Sequence, residues 1–124
     1  MQTIQDIKLE TLTTYGAIRK ACQVIREAAR ANMEVIFKYS HENLHTMSHE
    51  DAATLHDKAY MEFHYNEIDC ISYLEQTRMW QAEEGVKDND TIPRDINIQY
   101  WQKAVADELK NYNDAKKVMD KYIK

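Results

Sequence analysis

The sequence predicts an all-α fold, an elongated antiparallel three-helix bundle, on three observations. Two glycines and one proline in 124 residues leave almost no vocabulary for tight turns. A hydrophobic share of 44% beside a charged share of 30% is the balance of amphipathic helices. The few helix punctuation marks, Ser48, Gly85 and Pro93, cut the chain into three long segments. The expected helices span about 3–44, 49–84 and 94–122 in a single domain, each near 30 to 40 residues and together about 50 Å long at ~1.5 Å per residue.

The first segment carries two apolar seams at steps of three and four: Tyr15, Ile18, Cys22, Ile25, Ala29 and Ile36, then Ala17, Ala21, Val24, Ala28, Ala31 and Val35. Two seams about 100° apart let one helix touch two neighbours, and the alanines allow close approach. Gly16, after the β-branched run TLTT and Tyr15, is the expected weak point; a break there would leave four helices with one short arm. The second segment starts at a Ser48 cap, with Asp51 in the capping-box position, and ends at Gly85. Its core side is expected to be Ala52, Leu55, Ala59, Phe63, Cys70 and Leu74. Pro93 suits the first position of the third helix, whose seam is Ile98, Trp101, Val105, Tyr112, Ala115, Met119 and Tyr122. Cys22 and Cys70 both fall on apolar positions and read as small reduced core residues.

Polar residues on those seams need partners. Arg26, Glu67 and Glu108 fall in one mid-bundle layer when the helices are counted outward from their loops, and a lone carboxylate there must be paired or neutralised. An Arg26/Glu67/Glu108 cluster is the expectation, with a role in fixing helix register.

Charge is uneven. Residues 48–84 hold nine Asp/Glu against two Lys/Arg, a net −7 in a chain whose total is −5. Such a field repels phosphate backbones and favours a partner protein with a basic surface over direct nucleic-acid binding. The absence of a long apolar run and of a signal-peptide pattern at MQTIQDIKLE argues against a membrane and for the cytoplasm. The second helix also carries a second stripe, Met61, Tyr65, Ile68 and Met79, rimmed by Asp57, Glu62, Asp69 and Glu75 and pointing away from its core side. Methionine and aromatic residues on an outer helix face mark a surface for a partner helix or a homodimer. A small protein-binding regulator or inhibitor, working by occlusion and needing no cofactor, is the functional expectation.

Four other readings are weighed against it. HENLH (41–45) spells H-E-x-x-H, in which two histidines one turn apart hold zinc and the glutamate activates water; His41 and His45 would be the ligands of a zinc hydrolase. The motif stands at the end of a helix, where histidines also suit the helix dipole, and no third ligand is evident. The same stretch reads as E-x-x-H from Glu42 to His45, yet a di-iron bundle needs a second copy, which the chain lacks. A tyrosine-lined nucleotide pocket and an acidic mimic of nucleic acid complete the alternatives, while His56 and His64 read as packed or boundary residues.

Overall fold

A computed structural model describes residues 2–124. Two 3₁₀ turns, Ile4–Asp6 and Leu9–Thr11, form an N-terminal arm ahead of helix α1 (Tyr15–Glu42). Helix α2 (His49–Leu55), a π-helical turn (His56–Tyr60) and helix α3 (Met61–Glu84) follow without leaving right-handed helical backbone, so they make one rod. Helix α4 (Asp95–Tyr122) completes an all-α three-helix bundle. Among the described residues the only β feature is an isolated antiparallel bridge between Thr14 and Thr91, and no helix is long and apolar enough to cross a membrane.

Side-chain contacts give the relative directions. Tyr15 reaches Glu84, Arg19 reaches Gln81 and Arg30 reaches Glu67, so α1 and α3 run antiparallel. Asn66 reaches Glu108 while Asn97 reaches Glu84, which makes α3 and α4 antiparallel as well.

The core is two apolar clusters in series. One gathers Leu12, Tyr15, Ile18, Cys22, Ile25, Cys70, Ile92, Trp101 and Val105; the other gathers Ala29, Met33, Ile36, Leu55, Ala59, Phe63, Tyr112, Ala115 and Met119. Every member of the first α1 seam is buried, Cys22 and Cys70 included. The second seam is covered only in its N-terminal half, since Ala31 and Val35 are exposed. Between the two clusters lie buried Asn66, Glu67 and Glu108.

Local chemistry explains most boundaries. The Ser48 hydroxyl accepts from the Asp51 N–H at 3.0 Å, and Gly85 ends α3 in the left-handed region at φ 68°, a conformation that costs glycine little. The N-terminal third departs from expectation. The helix begins at Tyr15, capped by Thr14, whose hydroxyl accepts from the Ala17 N–H at 3.1 Å. The break therefore comes before Gly16, and the residues ahead of it form 3₁₀ turns instead of a fourth α-helix. Threonine favours capping over helix interiors because its hydroxyl competes for backbone partners. Gly16 has a tertiary reason: a Cβ there would stand 2.9 Å from the Asp88 carbonyl oxygen, and the Gly16 N–H donates to that same oxygen at 3.0 Å.

Pro93 likewise lies outside the helix it was expected to start. The Ile92 N–H donates to the Thr13 carbonyl at 2.8 Å and its side chain is buried. So anchored, the chain must turn sharply, and it does so at Arg94, which takes φ 68° before α4 starts at Asp95. The π turn was not anticipated either; the Met61 N–H bonds to the His56 carbonyl, five residues back. No glycine or proline marks it.

Ala52, expected in the core, is exposed. Glu67 lies 18 residues into the second rod but pairs with Arg30, 12 residues from the end of α1. The rod therefore overshoots α1 by about 6 residues, or ~9 Å at 1.5 Å per residue, which leaves Ala52 beyond the body of α1 and exposed.

Candidate protein-binding face of α3

At 100° per residue, Met61, Tyr65, Ile68, Ser72, Glu75 and Met79 stand on one side of α3, opposite Phe63, Cys70 and Thr77. The latter three are fully buried, whereas Tyr65, Ile68 and Met79 are 50%, 47% and 63% exposed. Met61, next to the π turn, is half-buried. Ile71, at 37%, adds apolar surface on the edge towards α1.

The four acids expected to rim this face divide among different surroundings. Asp57 lies in the π turn, where its carboxylate meets His56 Nδ1 at 2.8 Å. Glu62 is half-buried beside Lys58, Asn111 and Asp114 in a hollow of about 260 Å³ against α4. Asp69 is half-buried and stands beside the Glu108 carboxyl. Glu75 alone of the four stands on the outer face, exposed.

The Arg26/Glu67/Glu108 layer is built differently from expectation. Glu67 takes Arg30 in a two-pronged pair, with Arg30 Nε donating to Oε2 at 2.8 Å and Nη2 to Oε1. Arg26, one turn earlier, lines the groove beside that pair; among the described residues no ion pair joins it to Glu67 or Glu108. The overshoot of the second rod moves the register by about one helical turn, which brings Arg30 level with Glu67 in place of Arg26. Glu108 instead accepts from Asn66 Nδ2 at 2.9 Å, and its backbone carbonyl accepts from the same amide at 3.1 Å. Burial pushes the Glu108 carboxyl up to about 7, against the pull of the Asn66 bond and with the push of the neighbouring Asp69 carboxylate. A carboxyl without a cation beside it holds its proton to higher pH, as the cost of burying an unpaired charge requires.

The histidine motif is divided by a helix end. His41 and Glu42 occupy the last turn of α1, Asn43 caps it, and His45 lies in the turn beyond. His41, His45 and His49 are exposed, and among the described residues no group of three or more His, Cys, Asp or Glu is gathered for a metal ion. Two histidines off a common helix do not offer the paired nitrogens that H-E-x-x-H supplies. Tyr15 is buried, its hydroxyl donating to Glu84 at 2.8 Å, and buried Tyr112 receives a bond from Asn32 at 3.0 Å. A groove of about 620 Å³ between α1 and α3 is lined by Gln23, Arg26, Glu27, Arg30, Glu67 and their neighbours, with no aromatic side chain. His56 is exposed and stacks on Tyr60; His64 is half-buried.

Sequence reasoning missed a second patch of apolar surface. Tyr100 of α4 stacks on Trp80 of α3 with ring centres 5.6 Å apart and planes within 10°, and Trp101 meets both edge-on. Tyr100 is 49% and Ile96 63% exposed. Their spacing of four residues, off the Ile98/Trp101/Val105 seam, was the available signal. Also unforeseen was buried Arg19, which donates to Gln81 at 2.9 Å and pairs with Asp88. The Gln81 amide and Arg19 together hold the Asp88 carboxyl below the usual carboxylate range.

Comparison with protein-family models, with curated proteins and with solved structures finds no match to this chain.

Proposed function

We propose that the chain is a cytoplasmic protein-binding module whose working surface is the outer face of α3, and that it acts as a regulator or inhibitor by covering a surface of its partner. One observation carries this reading. Tyr65, Ile68 and Met79 stand exposed on the side of α3 turned away from the core, so about half of their surface is left uncovered by folding. Apolar groups left on one face of a helix gain free energy only when something else covers them. Occlusion needs shape and charge but no reactive group, so no cofactor and no chemistry of its own enter this reading. Self-association through the same face is compatible with it.

Affinity capture from host or target-cell lysate, with natural protein and Ile68→Lys as parallel baits, tests the proposal. A protein retained by the natural bait and lost from the variant is the expected result. Equal retention by both baits would place the working surface elsewhere.

A further inference from the structure

The outer face of α3 is a seam. Met61, Tyr65, Ile68, Ser72, Glu75 and Met79 succeed one another at steps of four, three, four, three and four residues. That 3.5-residue spacing is how one helix winds against another with knobs set into holes. The seam covers about 27 Å at 1.5 Å per residue, some three heptads of partner.

Its edges differ in charge. The positions immediately after Met61, Ile68, Glu75 and Ala82 are Glu62, Asp69, Gln76 and Glu83. The positions immediately before Tyr65, Ser72 and Met79 are His64, Ile71 and Arg78. In paired helices these flanking positions choose the partner and its direction. Glu75 occupies the seam itself, exposed, and among the described residues no cation pairs with it.

A second copy of this chain fits poorly. Laid parallel, two α3 helices set Glu75 on Glu75 within the seam. Laid antiparallel, the edge that ends in exposed Glu83, with half-buried Glu62 and Asp69 turned towards α4, meets itself. Like charges brought together out of water cost several kcal/mol, at the order of magnitude typical of interfaces, and a carboxylate covered without a cation is worse. A helix carrying lysine or arginine relieves both faults.

We infer that the outer face of α3 receives a basic amphipathic helix of a different protein, its apolar residues over Tyr65, Ile68 and Met79 and a lysine or arginine facing Glu75. Small Ser72 leaves room at the middle of the seam for a large apolar knob. This rests on the reading of α3 as the working face.

The test is calorimetric titration of the whole chain with two synthetic helical peptides of about three heptads. Both have leucine at their seam positions; one has lysine facing Glu75 and along its flanks, and the other has glutamate at those sites. The lysine peptide binds one to one and the glutamate peptide does not. In Glu75→Lys, with its helical content verified, affinity for the lysine peptide falls by about tenfold or more, and the glutamate peptide gains affinity. Ile68→Lys weakens the lysine peptide as well. The inference is overturned if the lysine peptide fails to bind, if both variants bind it as the natural chain does, or if sedimentation shows a dimer that Ile68→Lys dissolves. Should capture from lysate still depend on Ile68 while the peptide fails, the working face stands and only the basic helix falls. Should capture be indifferent to Ile68→Lys, the underlying reading falls with it.

Discussion

Glu108 shows how one residue's surroundings set its charge. It is 3% exposed, its amide partner Asn66 is neutral, and Asp69 faces it from α3; Asp107 on its own helix adds negative charge, while Tyr73 and the thiol of Cys70 pack nearby without a cation. The Cys22 thiol beside it and burial push the Cys70 thiol up, so Cys70 supplies no charge at neutral pH. Burial, with Glu108 and Asp69 near, likewise raises the Tyr73 hydroxyl to about 12. Because the folded Glu108 carboxyl titrates near 7 and its ordinary value is 4.5, its proton is held more tightly in the folded chain. Stability is therefore greatest below pH 4.5 as far as this group is concerned, declines as pH rises towards 7, and stays reduced above it. Glu108→Gln keeps an acceptor for Asn66 and removes the titration. Urea unfolding at pH 8 should show the variant more stable by on the order of 2 kcal/mol, with little difference at pH 4. Glu67 stands in contrast one residue from Asn66, since it has the Arg30 guanidinium as its partner. The sequence placed both carboxylates in the interior because they interrupt apolar seams; it did not disclose their partners, which depend on a register that no local pattern contains.

At the level of elements, the parts that were legible are those with a local cause. Ser48 and Gly85 end or begin helices through their own hydroxyl and φ, and both do so in the structure. The seam of α1 is buried because its period matches the helix. The start of α1, the position of Pro93 and the π turn were misread or missed because each answers to another part of the chain. Thr13, Thr14 and Gly16 are tied to residues 88–92, and that tie sets the entry to two helices together. The candidate face belongs to the legible class: one helix, one period, and a core side recognisable by Phe63 and Cys70. The extension to Tyr100 and Ile96 lies on another element, so only the packed bundle joins it to Trp80. Two substitutions on α3 separate the faces. Ile68→Lys, at a half-exposed outer position, should change unfolding free energy by within about 0.5 kcal/mol. Phe63→Ala, at a fully buried position packed edge-on against Tyr112, should cost about 3–5 kcal/mol. Thermal and urea denaturation of the pair checks both. A large loss in Ile68→Lys would mean that its side chain belongs to the core.

The whole molecule reads as a frame that holds one helix outward. α1 supplies the most regular seam and meets both other rods, and α4 closes the bundle with Trp101, Val105, Tyr112 and Met119. α3 lies between them with its inner side filled and its outer side uncovered. Six charges of α4 pair along their own helix, Lys103 with Asp107, Lys110 with Asp114 and Lys116 with Asp120. Such i,i+4 pairs leave a solvated surface with few demands on a partner. The outer face of α3 combines exposed apolar groups with Glu75, which pairs with no cation among the described residues. The most direct measurement places a photoreactive amino acid at position 68, and separately at position 113 on the exposed side of α4, and irradiates each protein in lysate. Position 68 should capture one discrete protein that position 113 does not. The same products from both positions, or none from position 68, would contradict the assignment of α3 as the working face.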